Sequence, residues 1–159
     1  MKKLKMGGIL GVSSGSDETA KLIIIKHNNA TNNVKPIVIV GKAVTFDSGG
    51  ISIKPSSKME EMKYDKSGGA TVIGTMVTIA KLNLPMNIIG VIPATENLLG
   101  GRAYKPGDIL KFSNGKTAEI INTDAEGRVI LGDALYYSTR WKPQAIIDLA
   151  TLTGACIVA

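Results

Sequence analysis

The chain has 159 residues, of which 44% are hydrophobic and 20% charged, and its net charge is +6 at pH 7. This length and composition suit a single domain over residues 1–159 with a real core, and they exclude a disordered chain. Apolar runs fall well short of the roughly 20 residues of a membrane helix, so no membrane association is expected. The lysines are scattered, which argues against a nucleic-acid partner.

The chain contains one cysteine and one histidine, and neither is expected to be catalytic. Cys156 alone cannot form an internal disulfide, which fits a reducing compartment and predicts a cytoplasmic location. Its apolar neighbours predict an inert, packed thiol. His27 begins an asparagine-rich turn, His27–Asn33, and is expected to be an exposed loop residue. A serine triad and a histidine-based zinc site are therefore excluded, so hydrolytic chemistry would have to use carboxylates and lysines.

Strands and helices are predicted to alternate along the chain. Runs of apolar and β-branched residues predict strands at Lys21–Lys26, Pro36–Val40, Asn87–Pro93, Ile109–Phe112, Thr117–Ile121 and Ala145–Ala150. Apolar spacing predicts helices from Ala70 to about Leu82 and over Val129–Tyr137, whereas residues 6–19 and Ala94–Gly107 are expected to be loops. This order predicts an α/β fold with a mainly parallel or mixed sheet flanked by helices, its last strand buried.

Charged residues collect where the predicted strands end. They are the carboxylates Asp47, Asp65, Asp124 and Glu126 and the bases Lys42, Lys54 and Arg128. Ligands of such sheets bind beyond the carboxyl ends of the strands, so these side chains are expected to converge. Crowded carboxylates repel one another, and two divalent metal ions would balance their charge.

Simpler interpretations exist for two parts of this set. In the stretch from Asp124 to Arg128, the aspartate could cap the following helix, Glu126 could complement the helix dipole, and the arginine could be solvated. Lys42 could be an ordinary surface lysine whose charge remains in solvent. The metal interpretation instead requires these residues to lie together and out of solvent.

The motifs around these residues resemble the leucine aminopeptidases, the M17 cytosol aminopeptidase family. The heptapeptide Asn122–Arg128 matches the signature of that family without a mismatch. Further matches follow in family order, among them Thr45–Gly50, Met62–Asp65, Asn114–Thr117 and Asp148–Ala155. The resemblance implies that residues 1–159 are the N-terminal and central part of an M17 catalytic domain, a zinc-peptidase-like domain that is incomplete here. By the same resemblance, the family's N-terminal domain and the last third of its catalytic domain are expected to be absent from residues 1–159.

The resemblance implies a metal-dependent aminopeptidase that removes leucine and similar N-terminal residues from peptides, using a water activated by two Zn²⁺ or Mn²⁺ ions. The implied ligands are Lys42, Asp47, Asp65 and Glu126 for the tightly bound ion, and Asp47, Asp124 and Glu126 for the exchangeable ion. The implied catalytic residues are Lys54 and Arg128, the arginine holding a bicarbonate-like anion. The implied substrate-binding residues are Met62, Thr151, Leu152 and Gly154.

The resemblance also implies a homo-oligomer, because family members are hexamers of two stacked trimers. The face of the last strand is expected to expose apolar surface that favours association. An alternative function is a catalytically inactive fragment that binds metal or helps assembly. It is kept open because part of the family's substrate pocket lies outside the matched region, and an incomplete pocket positions substrate poorly.

Overall fold

A five-stranded mixed sheet organises the chain in a computed structural model, which describes residues 1–31 and 34–158. The strands are β1 (Lys21–Asn28), β2 (Ile37–Gly41), β3 (Ala43–Asp47), β4 (Asn87–Asn97), β5 (Ile109–Lys111), β6 (Thr117–Glu119) and β7 (Ala145–Leu149). The α-helices are α1 (Gly7–Val12), α2 (Ser67–Lys81) and α3 (Glu126–Ser138). The predicted α/β class is therefore confirmed.

The long strand β4 lies inside the sheet and pairs on both of its edges. On one edge it is antiparallel to β1, and on the other it is parallel to β2, which in turn is parallel to β7. β3 pairs in parallel with the later part of β4, on the edge that β4 also shares with β2. The hairpin β5–β6, predicted from its turn, forms a separate two-stranded sheet. The parallel strands β2, β3, β4 and β7 therefore end on one side, where α3 begins.

Lys42 alone separates β2 from β3. Its N–H donates to the carbonyl of Leu149 (3.0 Å), and its own carbonyl accepts from the N–H of Gly69 (2.7 Å). The backbone thereby leaves the ladder with β4 and lies between β7 and the start of α2. Only glycine fits at Gly68, because an added Cβ there would overlap the carbonyl oxygen of Leu149. This break brings Lys42 to the carboxyl end of the sheet, inside the protein.

Side chains from opposite faces of β4 pack under different helices. Ile89 and Val91 pack with Leu131 of α3, whereas Ile88 and Ile92 pack in the cluster under α2. Alternate residues of a strand point to opposite faces, so an apolar run of this kind needs cover on both sides. α2 and α3 supply that cover, and both helices were predicted, although α2 begins three residues earlier than expected.

The segment 6–19, expected to be a loop, instead contains α1. The helix buries Met6, Ile9 and Val12 completely against α3 and its surroundings. The Asp133 carboxylate accepts the N–H groups of Gly8 (2.8 Å) and Ile9 (3.1 Å), which lie in the first turn of α1. Glycines lower helix propensity, so the local pattern is weak, but close packing on α3 overrides it.

Other differences follow from contacts between distant segments. β4 continues past Pro93 to Asn97, because β3 pairs with this part of it, so the loop predicted from Ala94 begins later. β7 is an edge strand rather than a buried one, and Ile147 is half exposed. His27 lies in β1, half-buried, with its Nε2 atom 2.8 Å from the carbonyl oxygen of Leu84, so the exposed-loop prediction is wrong.

The remaining predictions have mixed outcomes. Cys156 is exposed and was wrongly predicted to be packed. Its Sγ atom lies 2.9 Å from the carbonyl oxygen of Thr153. The turn predicted through Asn32 and Asn33 involves two residues outside the described part of the chain. Among the helices of residues 1–31 and 34–158, none is long and apolar enough to cross a membrane.

Candidate active site

A pocket of about 590 Å³ lies at the carboxyl ends of the parallel strands and the start of α3. It brings together every residue that the sequence singled out for metal, catalysis or substrate. These are Lys42, Asp47, Lys54, Met62, Asp65, Asp124, Glu126, Arg128, Thr151, Leu152 and Gly154. The convergence expected from the strand-end rule is therefore observed.

Different elements carry the acidic residues into this pocket. Asp47 is the last residue of β3, and Asp65 follows a 3₁₀ turn over Met59–Tyr64. Asp124 lies in a second 3₁₀ turn, and Glu126 is the first residue of α3. Only the last two are neighbours in sequence, so the cluster depends on the packing of β3 and α3 against β4.

The carboxylates of Asp47, Asp65 and Glu126 form the buried centre of the site. Each offers an oxygen atom that lies within 4.8 Å of the others. The side chains are almost completely buried, and Glu126 is only 1% exposed. Asp124 is more exposed and lies at the edge of this cluster. Oxygen atoms at such spacing can share a cation.

Two lysines are paired with these carboxylates. The Nζ atom of Lys42 lies 2.7 Å from Asp65 Oδ2 and 2.9 Å from Glu126 Oε1, and it donates to the carbonyl oxygen of Thr151 (2.8 Å). Lys42 is 3% exposed, so the surface-lysine interpretation is wrong. The Nζ atom of Lys54 joins the other pair, at 3.1 Å from Asp47 Oδ2 and 2.6 Å from Asp124 Oδ1.

Helix capping does not explain the Asp124 carboxylate either. The residue at the N-cap of α3 is Ala125, and no side chain caps that end. Asp124 instead donates its backbone N–H to the Asn122 side chain (2.8 Å). Glu126 does lie in the first turn of α3, as the simpler interpretation proposed, but it is buried against Lys42. Arg128 is exposed, as that interpretation expected.

Burial is the main cause of the pKa shifts of Glu126 and Asp65. Four carboxylates face two lysines, so the cluster carries an excess of negative charge. Burial raises the pKa of Glu126 to about 7, partly opposed by Lys42. Burial also raises the pKa of Asp65. Burial lowers the pKa of Lys42, but Glu126 and Asp65 outweigh this effect and raise it above its ordinary value, so that the lysine is an ammonium.

The donor atoms fit hard divalent cations. Carboxylate oxygens dominate the set, and the excess of negative charge calls for further positive charge. Two buried oxygens, Asp65 Oδ2 and Asp124 Oδ1, lie close to a lysine Nζ but outside hydrogen-bond geometry, and they have no hydrogen-bond partner among the described residues. The cluster of Asp47, Asp65 and Glu126 could hold a metal ion.

One wall of the pocket is more open. Thr151, Leu152 and Gly154 are exposed there, and Met62 is half-buried. The Thr151 hydroxyl donates to Asp65 Oδ1 (2.7 Å), which ties this wall to the carboxylates. Such an open wall beside a charged cluster leaves room for a polar substrate with an apolar side chain.

The sequence did not identify Asn97 or Thr123, both of which are completely buried behind the carboxylates. The amide of Asn97 donates to Asp47 Oδ1 (2.9 Å) and to the carbonyl oxygen of Thr123 (3.0 Å). The strand-end rule would have found Asn97 if β4 had been extended past Pro93. Cys156 also lines the pocket and was set aside as a packed thiol.

Comparisons with known proteins found similar sequences over the whole chain. The sequence model described as "Cytosol aminopeptidase family, catalytic domain" matches residues 1–159. A "Probable cytosol aminopeptidase" from Cenarchaeum symbiosum (strain A) is 59% identical over 160 residues, which cover 100% of this chain and 33% of that protein. A "Cytosol aminopeptidase" from Haemophilus influenzae is 58% identical, with the same coverage of both chains. A "Probable cytosol aminopeptidase" from Nitrosomonas europaea is 55% identical over 159 residues and is covered to 32%. The chain thus spans about a third of the length of the curated relatives it matches.

Proposed function

Because the chain belongs to the cytosol aminopeptidase family, we propose that it is the metal-holding part of an aminopeptidase catalytic domain. Its substrates would be peptides with a free N-terminus, and leucine and similar residues would be released. The observation that carries this proposal is the pocket in which buried carboxylates and two lysines meet an open wall. Residues 1–159 would form one structural unit, the N-terminal and central part of that domain, and the name of the relatives supports the cytosol as its location.

Two divalent cations, Zn²⁺ or Mn²⁺, would be held by the side chains of the cluster. Lys42, Asp47, Asp65 and Glu126 would hold one ion, and Asp47, Asp124 and Glu126 the other. When bound, such ions supply Lewis acidity for peptide hydrolysis at neutral pH. Lys42 would have to lose its proton to become a ligand, because its pKa is raised by the neighbouring carboxylates.

The remaining side chains would bind and orient the peptide. The Lys54 ammonium borders the pocket and would stabilise negative charge on the carbonyl oxygen of the scissile bond. The exposed guanidinium of Arg128 makes no ion pair or hydrogen bond within the described residues, and it would bind a bicarbonate-like anion. Met62, Thr151, Leu152 and Gly154 would contact the N-terminal residue of the peptide. Contacts with the N-terminal residue would restrict cleavage to the N-terminal end of a peptide.

A leucine-anilide assay tests the proposal. The chain, freed of metal and then supplied with Mn²⁺, should release the aniline faster than the Glu126→Ala variant, which lacks a carboxylate common to both proposed metal sites. Lys58→Ala is the matched control, because Lys58 is exposed and its ion pair with Glu61 is long (3.9 Å). Equal rates for the parent chain and Glu126→Ala would refute the proposal.

A second candidate function is metal binding without turnover. The exposure of Thr151, Leu152 and Gly154 favours this second function. Residues that are themselves exposed to solvent would hold a substrate poorly in position. The same assay separates the two candidates. Bound Mn²⁺ without release of the aniline would identify the chain as a metal-binding or assembly fragment.

A homo-oligomer is the proposed state of association. Exposed apolar side chains lie on the edge strand β7, at Ile147, and on the outer face of α2, at Ile73 and Val77. Apolar surface of this kind favours association with other copies of the chain. Light scattering at high concentration tests this, and a monomer would refute it.

A further inference from the structure

Asn97 is a completely buried polar side chain directly behind the carboxylate cluster. Its Nδ2 atom lies 2.9 Å from Asp47 Oδ1, 3.0 Å from the carbonyl oxygen of Thr123 and 3.5 Å from Glu126 Oε2. All three neighbours can accept hydrogen bonds and do not donate them when the carboxylates are ionised, so the amide must face them with its NH₂ group. The two short contacts use its two hydrogens, and the Glu126 contact is the weakest.

The backbone fixes this asparagine from the other side. Asn97 is paired with Asp47 at the end of the β3–β4 ladder. Its carbonyl oxygen accepts from both the N–H (3.0 Å) and the hydroxyl (2.8 Å) of Ser48. An amide held in this way connects the end of β3 to the turn at Thr123, which leads into α3. It therefore links the two segments that carry Asp47 and Glu126.

The oxygens of both carboxylates are divided between a lysine and this amide. In Asp47, Oδ2 pairs with Lys54, while Oδ1 accepts from Asn97 and from the N–H of Gly49 (2.9 Å). In Glu126, Oε1 pairs with Lys42, while Oε2 is the oxygen nearest the amide. A lysine thus pairs with one oxygen of each carboxylate, and the amide contacts the other. Because it is neutral, it supplies donors without the positive charge that would repel a metal ion.

We propose that Asn97 is a positioning residue for a shared divalent cation: it orients Asp47 by fixing Oδ1 of that carboxylate, and it orients Glu126 by holding the Thr123 turn that leads into α3. This inference rests on the proposed function, because it assumes that the cluster binds metal. Groups that orient metal ligands in this way typically contribute about 10–100-fold to metal affinity. Asn97 acts through the ligands and would not itself touch the ion.

The test compares Asn97→Leu with Tyr104→Phe by calorimetric titration of the metal-free chain with Mn²⁺. Tyr104 is also buried, and its hydroxyl donates to the same Thr123 carbonyl (2.8 Å), but no hydrogen bond joins it to a carboxylate in the described residues. Both variants should lower the melting temperature of the metal-free chain, because both remove a buried hydrogen bond. Only Asn97→Leu should weaken Mn²⁺ binding, by about 10–100-fold. Asn97→Ala, which avoids introducing a larger apolar side chain, is titrated in parallel and should weaken binding in the same direction.

Each other result has a distinct meaning. Parent-like Mn²⁺ affinity in the folded Asn97 variants would overturn this inference and leave the proposed function standing. A loss of affinity in Tyr104→Phe as large as that in Asn97→Leu would also overturn it, because the effect would then come from general loosening of the fold. A parent chain that binds no Mn²⁺ would refute the proposed metal site and this inference with it.

Discussion

Replacing Glu126 by glutamine is expected to stabilise the metal-free chain while removing its metal affinity. Glu126 is buried, and its pKa is raised from 4.5 to about 7, chiefly by that burial. Glutamine has nearly the same shape but no charge. The difference between the two pKa values corresponds to about 3 kcal/mol, at ~1.4 kcal/mol per pKa unit. This is the free energy that the ionised carboxylate costs the folded, metal-free protein above neutral pH.

The sign follows from proton binding. Between pH 4.5 and about 7 the folded chain holds more protons on Glu126 than the unfolded chain does, so stability of the parent chain falls as pH rises through this window. The stability of the Glu126→Gln variant should not fall in this window, because glutamine does not ionise. The variant should therefore match the parent at about pH 4 and exceed its free energy of unfolding by up to about 3 kcal/mol at about pH 8.

Urea denaturation in the presence of a chelator measures this difference at each pH. Glu119→Gln is the matched control, because Glu119 is exposed on β6 and should leave the curve unchanged. Addition of Mn²⁺ should reverse the order of stability, because the ion binds the folded parent and not the variant. If Glu126→Gln is less stable than the parent at about pH 8 without metal, the ion pair with Lys42 outweighs the cost of burial and the reasoning is refuted.

The remaining predictions concern other residues of the site and its support. Asp47→Ala should abolish binding of both metal ions while Lys58→Ala has no effect, as metal analysis after dialysis would show. Lys42→Met should weaken metal binding severely. It is a better test than Lys42→Arg, because the Lys42 side chain packs closely against Gly127 and the larger guanidinium has little room there. A Cβ added at Gly127 would lie only 2.9 Å from the Lys42 side chain. Binding of Mn²⁺ should release at least one proton, because Lys42 is an ammonium in the metal-free chain. Calorimetric titration in buffers of different ionisation enthalpy measures this proton release, and Mn²⁺ binding without any release would contradict the prediction. Asp133→Ala should lower the free energy of unfolding by about 3 kcal/mol, because two buried N–H groups and one partly buried N–H group lose their acceptor, and a parent-like urea midpoint would contradict this.

Much of the site could be predicted because it depends on short stretches of sequence. Apolar runs identify β2 and β4 as buried strands, and residues that end such strands lie on one side of a parallel sheet. Apolar spacing after Arg128 predicted a helix over Val129–Tyr137, and α3 covers that stretch and begins at Glu126. Local sequence thus indicated which charged side chains would meet, although Asp47 ends β3, a strand that no local pattern identified.

Only the tertiary structure decided the features that depend on contacts between distant segments. Helix α1 has too many glycines for a strong local signal, and it is stabilised by the Asp133 carboxylate, which lies more than a hundred residues away in sequence. β3 and the last part of β4 pair with each other, so neither could be recognised before the other was placed. The burial of Asn97 follows from that pairing. Periodicity reports on neighbours along the chain, whereas burial and hydrogen bonding depend on which surfaces meet in space.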